Sequence, residues 1–153
     1  MKRKHVDLFT GIAGFTLGLQ GISEPAIMCE ICRKCNEELR KRYPNVEIKE
    51  DIRTTNFPDE RDDIWLVCGG FPCQDISCAG KGVGLSGARS GLWSEMRRII
   101  SELRSPWLLI ENVPALRTRG ADDVLSDLEG LGYAYWPIVV GGRHVGSPQL
   151  RGE

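Results

Sequence analysis

Two side chains that could carry out chemistry follow predicted strands of this chain. Cys73 comes shortly after the apolar run 64–68, between Pro72, whose φ angle is fixed, and a stretch rich in glycine. A thiol in such a loop is typical of a nucleophile, and the alternative is a buried structural thiol. Glu111 directly follows the apolar run 107–110. Burial there would raise its pKa and keep it a proton donor, and the alternative is an exposed loop acid.

The sequence gives little support for a cysteine–histidine hydrolase. That mechanism needs an imidazole base beside the thiol. The two histidines are His5, at the start of the first predicted strand, and His144, near the last residue. We therefore expect Cys73 to act without a histidine partner.

A glycine turn follows the first strand, in residues 7–14, and leads into a short helix. Glycines at such a point let the backbone approach a ligand, and the helix amides face it. The glycine spacing differs from the dinucleotide fingerprint, so a plain strand-to-helix turn is the alternative. Glu30 ends the second strand about twenty residues later, where a carboxylate can accept the hydroxyls of a ribose. The pair predicts a cofactor that contains a nucleoside. Asp51, after the third strand, is either an acceptor for an adenine amino group or a solvated turn acid.

Three cysteines, Cys29, Cys32 and Cys35, form a Cys-x-x-Cys-x-x-Cys run. Such a run invites a zinc or iron–sulfur interpretation. However, no fourth ligand stands at a clear spacing, and the run crosses from a strand end into a helix start. We therefore predict no metal site. We also predict free thiols rather than disulfides, because nothing in the sequence points to an oxidising compartment.

The elements that must position these residues are short apolar strands alternating with helices. The predicted strands are 5–9, 26–30, 46–52, 64–68, 107–110 and 133–140, and the longer helices are 32–43, 92–103 and 122–131. This alternation is typical of a doubly wound α/β fold with a mostly parallel sheet, in which ligands bind beyond the carboxyl ends of the strands. The glycine-rich segment 69–91 is too long for an ordinary connection and is predicted to be functional.

Composition narrows the function classes. The 153 residues predict one domain, and a net charge of −1 excludes the domain-wide positive field of the simplest nucleic-acid binders. A hydrophobic fraction of 41% is typical of a globular domain rather than a membrane protein or a disordered chain. The uncharged stretch 8–23 contains polar residues and is shorter than a membrane span, so we predict no signal peptide and a cytoplasmic protein.

Four motifs stand in order along the chain: residues 7–14, residues 70–74, residues 111–113 and residues 147–151. They resemble, in that order, the first motif, the catalytic motif, the acid motif and the start of the arginine motif of the cytosine-5 DNA methyltransferase family. The resemblance implies a Rossmann-like fold of the S-adenosylmethionine-dependent methyltransferase type. It also implies that S-adenosylmethionine binds with Glu30 on its ribose and with Asp51 and Ile52 at its adenine. The other cofactor contacts that it implies are Phe9, Gly11, Ala13, Gly14, Ile31, Pro72 and Leu92.

The resemblance also implies a mechanism on a cytosine flipped out of double-stranded DNA. The Cys73 thiolate adds to the 6-position of the ring, and the 5-position then takes the methyl group. Glu111 holds ring nitrogen 3, where protonation stabilises the charge that the thiolate pushes into the ring. Arg151 orients the base or Cys73. The further substrate contacts that it implies are Gln74, Ser77, Asn112 and Gln149.

The chain departs from the family pattern near its last residues. Glu153 stands where the family has the second arginine of Gln-x-Arg-x-Arg, and residues 1–153 show no counterpart of the target-recognition domain. We therefore expect residues 1–153 to be the cofactor-binding and catalytic domain of a truncated or split enzyme, with a second chain as a candidate carrier of DNA recognition. The alternatives are an RNA cytosine-5 methyltransferase and an inactive cofactor-binding remnant.

Overall fold

A computed structural model describes residues 2–57, 63–72, 90–114 and 116–146. Their five strands form one parallel sheet in the order β3-β2-β1-β4-β5. The order reverses between β1 and β4, as in the doubly wound fold predicted from the sequence. The strands are β1 (Lys4–Leu8), β2 (Glu24–Cys29), β3 (Glu47–Lys49), β4 (Ile64–Gly70) and β5 (Trp107–Glu111). The helices are α1 (Gly14–Gly18), α2 (Arg33–Arg42), α3 (Ser90–Leu103), α4 (Leu116–Arg119) and α5 (Ala121–Gly130), with a 3₁₀ helix at Gly142–Val145.

The described residues fall into two compact units. The first lies within Met1–Phe71 and Leu92–Glu111 and contains the sheet, α1, α2 and most of α3. The second lies within Pro72–Gly91 and Asn112–Glu153 and contains α4, α5 and the 3₁₀ helix. The strand ends that the sequence singles out, from β1 to β5, therefore all belong to the first unit.

The core of the first unit surrounds β1, the central strand. β1 pairs with β2 on one side and with β4 on the other, and four of its five residues are buried. A strand covered on both faces requires apolar side chains on both, which Val6 and Leu8 provide on one of them. His5 and Asp7 on the same strand are buried as well, although they are polar.

Helix α3 shows why the apolar spacing predicted a helix. Its buried side chains, Trp93, Met96, Ile99 and Ile100, recur at intervals of three and four and so form one face. The helix ends before Arg104, which has a φ of +45°. A residue in this left-handed region is a common helix terminator. None of the described helices has the length and apolar character needed to cross a membrane.

The second unit contradicts one predicted strand. Residues 133–140 are irregular, and Trp136 in this segment is 88% exposed. Helix α5 ends at Gly130, Gly132 just after it has a φ of +88°, and the amide of Tyr133 donates back to the carbonyl of Leu128. The predicted strand is wrong because no described strand forms a ladder with residues 134–140. Side chains typical of a strand adopt that structure only when a neighbour accepts their backbone hydrogen bonds.

Candidate functional site

The turn between β1 and α1 has a constrained backbone. Phe9 and Ala13 have φ angles of +55° and +70°, and such a conformation costs about 1–3 kcal/mol for a residue that is not glycine. Thr10 holds the turn in place. Its hydroxyl donates to the Asp7 carbonyl at 2.7 Å and accepts from the Cys29 amide at 3.2 Å. The turn is thereby fastened to the ends of both β1 and β2.

Glu30 follows β2 and connects the glycine turn to helix α2. Its Oε2 accepts a hydrogen bond from the Gly11 amide at 2.7 Å, and its Oε1 accepts one from the Cys32 amide at 2.7 Å. The side-chain amide of Asn36 donates to the Glu30 carbonyl at 2.6 Å. Each carboxylate oxygen keeps a second lone pair, so two ribose hydroxyls could be accepted without breaking these bonds. The Glu30 side chain is therefore held in place by backbone amides and can still accept hydrogen bonds from the predicted ribose.

A cavity of about 510 Å³ opens at the carboxyl ends of β1, β4 and β5. Its volume lies within the range that is usual for sites of small molecules and cofactors. The cavity brings the glycine turn and Glu111 to one space, as the sequence predicts for ends of parallel strands. Glu30 and Gly11 are not among the residues that line it. The lining residues are Phe9, Thr10, Gly14, Phe15, Gly18, Leu19, Gly70, Leu109 and Glu111.

Two glycines at the end of β4 permit close approaches, that of Gly69 to backbone and that of Gly70 to the end of a flexible side chain. A Cβ atom on Gly70 would lie 2.6 Å from Oε2 of Glu111, and one on Gly69 would lie 2.6 Å from the Leu8 carbonyl oxygen. Real Cβ contacts do not occur at these distances. Sequence reasoning treated both glycines only as the start of a loop, yet Gly70 is what lets the Glu111 carboxylate lie against the backbone of β4.

Glu111 itself is exposed, not buried. It ends β5, which is an edge strand of the described sheet, and it lines the cavity. The expectation that the protein buries Glu111 is therefore wrong. Any desolvation of its carboxylate has to come from whatever binds in the cavity.

The predicted adenine contacts lie after β3. The Asp51 carboxylate accepts three side-chain hydrogen bonds from Arg53: from Nε to Oδ1 at 2.9 Å and to Oδ2 at 3.2 Å, and from Nη2 to Oδ2 at 2.8 Å. These bonds hold the pKa of Asp51 below its usual range. Ile52 is buried, and its carbonyl accepts from Nη2 of Arg98 at 2.9 Å. An adenine amino group would therefore have to share Asp51 with Arg53.

Comparison with known proteins shows the family to which this sequence is related. Residues 3–152 match the sequence profile of the family described as C-5 cytosine-specific DNA methylase. The chain belongs to that family. The predicted family is thereby confirmed.

Relatives of this methylase chain are longer than the chain. It is 40% identical to the type II methyltransferase M2.BsuMI of Bacillus subtilis, over 97% of this chain and 40% of the relative. It is 33% identical to the type II methyltransferase M.BanI of Aneurinibacillus aneurinilyticus, over 99% of this chain and 37% of the relative. The chain thus spans about two fifths of the length of these curated relatives.

Solved structures show the same fold. The Dnmt2 methyltransferase of S. pombe matches with a TM-score of 0.73 at 18% identity, over 94% of this chain and 46% of that one. A mutant of DNMT2 from Spodoptera frugiperda matches with a TM-score of 0.63 at 17% identity, over 84% of this chain and 41% of that one. The predicted Rossmann-like methyltransferase fold is confirmed.

The remaining predicted site residues of the methylase chain have varied positions. Ile31 beside Glu30 is 69% exposed, whereas Ala13 is buried under the turn. Leu92 on α3 is half-buried, and Pro72 is exposed. The Asn112 side chain accepts from the Val113 amide at 2.9 Å. The predictions for Cys73, Gln74, Ser77, Gln149 and Arg151 lie outside the described residues.

A buried polar network lies beneath the glycine turn, and sequence reasoning missed it. The Thr16 hydroxyl donates to Oδ2 of Asp7 at 2.7 Å, so its only proton is used. Nε2 of His5, 3.0 Å away, must then donate to Thr16, and Nδ1 accepts from the Ser23 hydroxyl at 2.8 Å. Oδ1 of Asp7 has no hydrogen-bond partner in the described structure. Polar residues two apart on an otherwise apolar strand, His5 and Asp7, were the available signal.

The network predicts an unusual pH dependence of stability. Burial raises the pKa of Asp7 to about 6 and lowers that of His5 to about 4. As pH rises from about 4 to 6, folded Asp7 releases a proton that unfolded Asp7 has already lost, so its contribution to stability falls. His5 has the opposite effect between about pH 4 and 6.5, since only the unfolded chain is protonated there. Each effect is about 3 kcal/mol, so they largely cancel in the wild type.

We therefore expect Asp7→Asn to uncover the histidine effect. The free energy of unfolding of this variant should rise by about 3 kcal/mol between pH 4 and 6.5, and that of the wild type should change much less. His5→Gln should show the reverse slope. Urea titrations at several pH values measure the free energy of unfolding of each protein. The same pH dependence of this free energy in the wild type and both variants would contradict the roles given to Asp7 and His5.

Proposed function

We propose that this methylase chain is the cofactor-binding and catalytic half of an enzyme that methylates the 5-position of cytosine in double-stranded DNA. The observation that carries the proposal is a single cavity lined by both the glycine turn, at Phe9 and Gly14, and by Glu111. A site for a methyl donor and a site for a base are needed side by side, because the methyl group moves directly between them. Membership of the family supports this pairing of roles.

The residues around the turn fit S-adenosylmethionine. This cofactor, when bound, supplies an electrophilic methyl group. Glu30 would accept the ribose hydroxyls with its remaining lone pairs. Gly11 and Gly14 leave open space at the backbone, since a Cβ atom on either would meet nothing within 4 Å. The Phe9 side of the cavity would then hold the part of the cofactor that faces the base.

Cys73 and Glu111 would act together on the base. The Cys73 thiolate forms a bond to the 6-position, and the electron pair of the 5,6 double bond moves into the ring. Glu111 neutralises that charge by holding a proton at ring nitrogen 3. A base that enters the cavity displaces water from the exposed carboxylate, and this desolvation raises its pKa towards the protonated form. Exposure of Glu111 before binding is thus compatible with its role.

DNA recognition would come from sequence outside residues 1–153. These residues correspond to about two fifths of the curated relatives, and their net charge of −1 offers little general attraction for DNA. A longer chain or a second polypeptide would supply that attraction and the choice of sequence. The proposed activity on DNA would place the protein in the bacterial or phage-infected cytoplasm.

The test of this function is transfer of a radiolabelled methyl group from S-adenosylmethionine to double-stranded DNA or to tRNA. The chain is assayed alone and fused to the part of M2.BsuMI that lies outside the matched region. Label in DNA at the 5-position of cytosine is the expected result. Label confined to tRNA, or in neither nucleic acid with the fusion, would contradict the proposal.

Glu111→Gln should lower the rate of methyl transfer by on the order of a hundredfold or more, since it removes the proton donor. Binding of S-adenosylmethionine should remain, because the Glu30 side of the site is untouched. Single-turnover transfer and calorimetry measure the two quantities. The matched control is Glu37→Gln, on the exposed face of α2. Equal rates for both variants would remove Glu111 from the mechanism.

A further inference from the structure

We propose that Cys32 and Cys35 are a redox-active pair, which small-molecule disulfides such as oxidised glutathione convert into an intrachain disulfide. The pair stands at the first turn of α2 and begins two residues after Glu30. It is separate from Cys73 and takes no part in the proposed methyl transfer. The inference is therefore independent of that function.

The backbone brings the two sulfur atoms together. Cys32 precedes the first residue of α2, and its carbonyl accepts from the Asn36 amide at 2.9 Å. Cys35 lies three residues on, and residues with this spacing are neighbours on a helix. The two side chains are near enough that each shifts the pKa of the other. The spacing of Cα atoms three residues apart in a helical turn is one that a disulfide accepts.

Their surroundings give the two thiols different roles. Cys32 is exposed, and its pKa is lowered mainly by the backbone amide of Cys35 and secondly by the Cys35 side chain. The Cys32 side chain in turn raises the pKa of Cys35, which is only half-buried. An exposed thiolate at a helix N-terminus attacks readily, and a neighbouring thiol resolves the product. Cys32 is therefore the attacking residue and Cys35 the resolving one.

The other described cysteines have no such access. Cys29 and Cys68 are buried, and burial raises the pKa of each, that of Cys29 to about 11. The described residues place three potential metal ligands together only at His5, Asp7 and Cys68, so the three-cysteine run at the start of α2 does not assemble as a metal site there. Within the described structure, Cys32 and Cys35 are less buried than Cys29 and Cys68, and only Cys32 has a lowered pKa.

The reaction balances with one molecule of oxidised glutathione. The Cys32 thiolate attacks one of its sulfur atoms, breaks the S–S bond and expels one glutathione thiolate. Cys35 loses its proton and attacks the Cys32 sulfur, which expels the second glutathione thiolate and forms the Cys32–Cys35 bond. Two electrons pass from the cysteine pair to glutathione, and the released proton is taken up by a leaving thiolate.

Peptide mapping tests the proposal directly. Trypsin cleaves after Arg33 and Lys34, which stand between the two cysteines, so the disulfide would join peptide 35–40 to peptide 5–33. The wild-type chain is incubated with oxidised glutathione, its remaining thiols are alkylated, and the digest is analysed by mass spectrometry with and without dithiothreitol. The joined peptides should dominate in the untreated digest and disappear after reduction.

Two variants identify the sulfur atoms. Peptide 5–33 also contains Cys29, so Cys29→Ser is the matched control and should keep the joined peptides, whereas Cys32→Ser should lose them. Loss in Cys29→Ser, joining of peptide 35–40 to the peptide that contains Cys73, or alkylation of Cys35 in full would overturn the proposal. Alkylation rates offer a second measurement, in which Cys32 of the reduced wild type should react at least about tenfold faster than Cys35 at neutral pH.

Discussion

Replacing Cys73 with alanine is expected to abolish the covalent complex with DNA that contains 5-fluorocytosine. The fluorine atom blocks loss of the group at the 5-position after methyl transfer, so the enzyme stays attached through the bond to the 6-position. Without a thiolate that bond cannot form. The rate of methyl transfer should fall by at least about a thousandfold, as is usual when a nucleophile is removed. Adduct yield on denaturing gels and single-turnover transfer measure the two effects.

Cys78→Ala is the matched control, because Cys78 lies in the same glycine-rich segment. It should leave the adduct yield near that of the wild type. The fusion to the remaining part of M2.BsuMI is the form of the protein to use, since the proposed function places DNA recognition outside residues 1–153. An adduct from Cys73→Ala in wild-type yield would show that another residue is the nucleophile.

The second large effect is expected at Glu30. Glu30→Ala should weaken the binding of S-adenosylmethionine by about tenfold to a hundredfold, the equivalent of losing hydrogen bonds to a charged acceptor. Part of this loss has an indirect origin, because the same carboxylate accepts from the amides of Gly11 and Cys32. Calorimetric titration of the isolated chain measures the change without any need for DNA.

Two further variants separate direct from indirect effects at this site. Glu30→Gln keeps one oxygen acceptor and should bind with intermediate affinity. Glu37→Ala removes an exposed carboxylate that pairs with Arg33 on α2, and it should bind as the wild type does. Wild-type affinity in Glu30→Ala would contradict the ribose assignment. Absence of binding in the wild type would mean that the pocket requires sequence beyond this chain.

The sheet could be predicted from the sequence because its strands are short apolar runs separated by helical periodicity. The prediction of 64–68 corresponds to β4, Ile64–Gly70, and that of 107–110 to β5, Trp107–Glu111. Helix α2, Arg33–Arg42, lies within the predicted range 32–43. The strand ends could therefore be used to choose candidate residues. Boundaries were less accurate at β3, where only Glu47–Lys49 of the predicted 46–52 forms a ladder.

What the sequence could not reveal depends on contacts between distant residues. Glu111 follows an apolar run, yet it is exposed, and its strand β5 lies at an edge of the described sheet. Gly70 leaves room for a carboxylate 41 positions away, which no local pattern shows. His5 and one carboxylate oxygen of Asp7 find their partners, Thr16 and Ser23, only after the chain folds back along β1. Such pairings are set by topology, not by composition or spacing.

The exposed apolar segment 135–140 affects the solubility of the purified chain. Trp136, Ile138 and Val139 are each more than half exposed, and they stand in a stretch with strong β propensity. Pro137 within the segment opposes strand pairing between copies, but the exposed apolar side chains still favour association and precipitation in a concentrated stock. Cooling weakens the hydrophobic part of that attraction. Dilute, cold stocks are therefore the practical form in which to keep this chain.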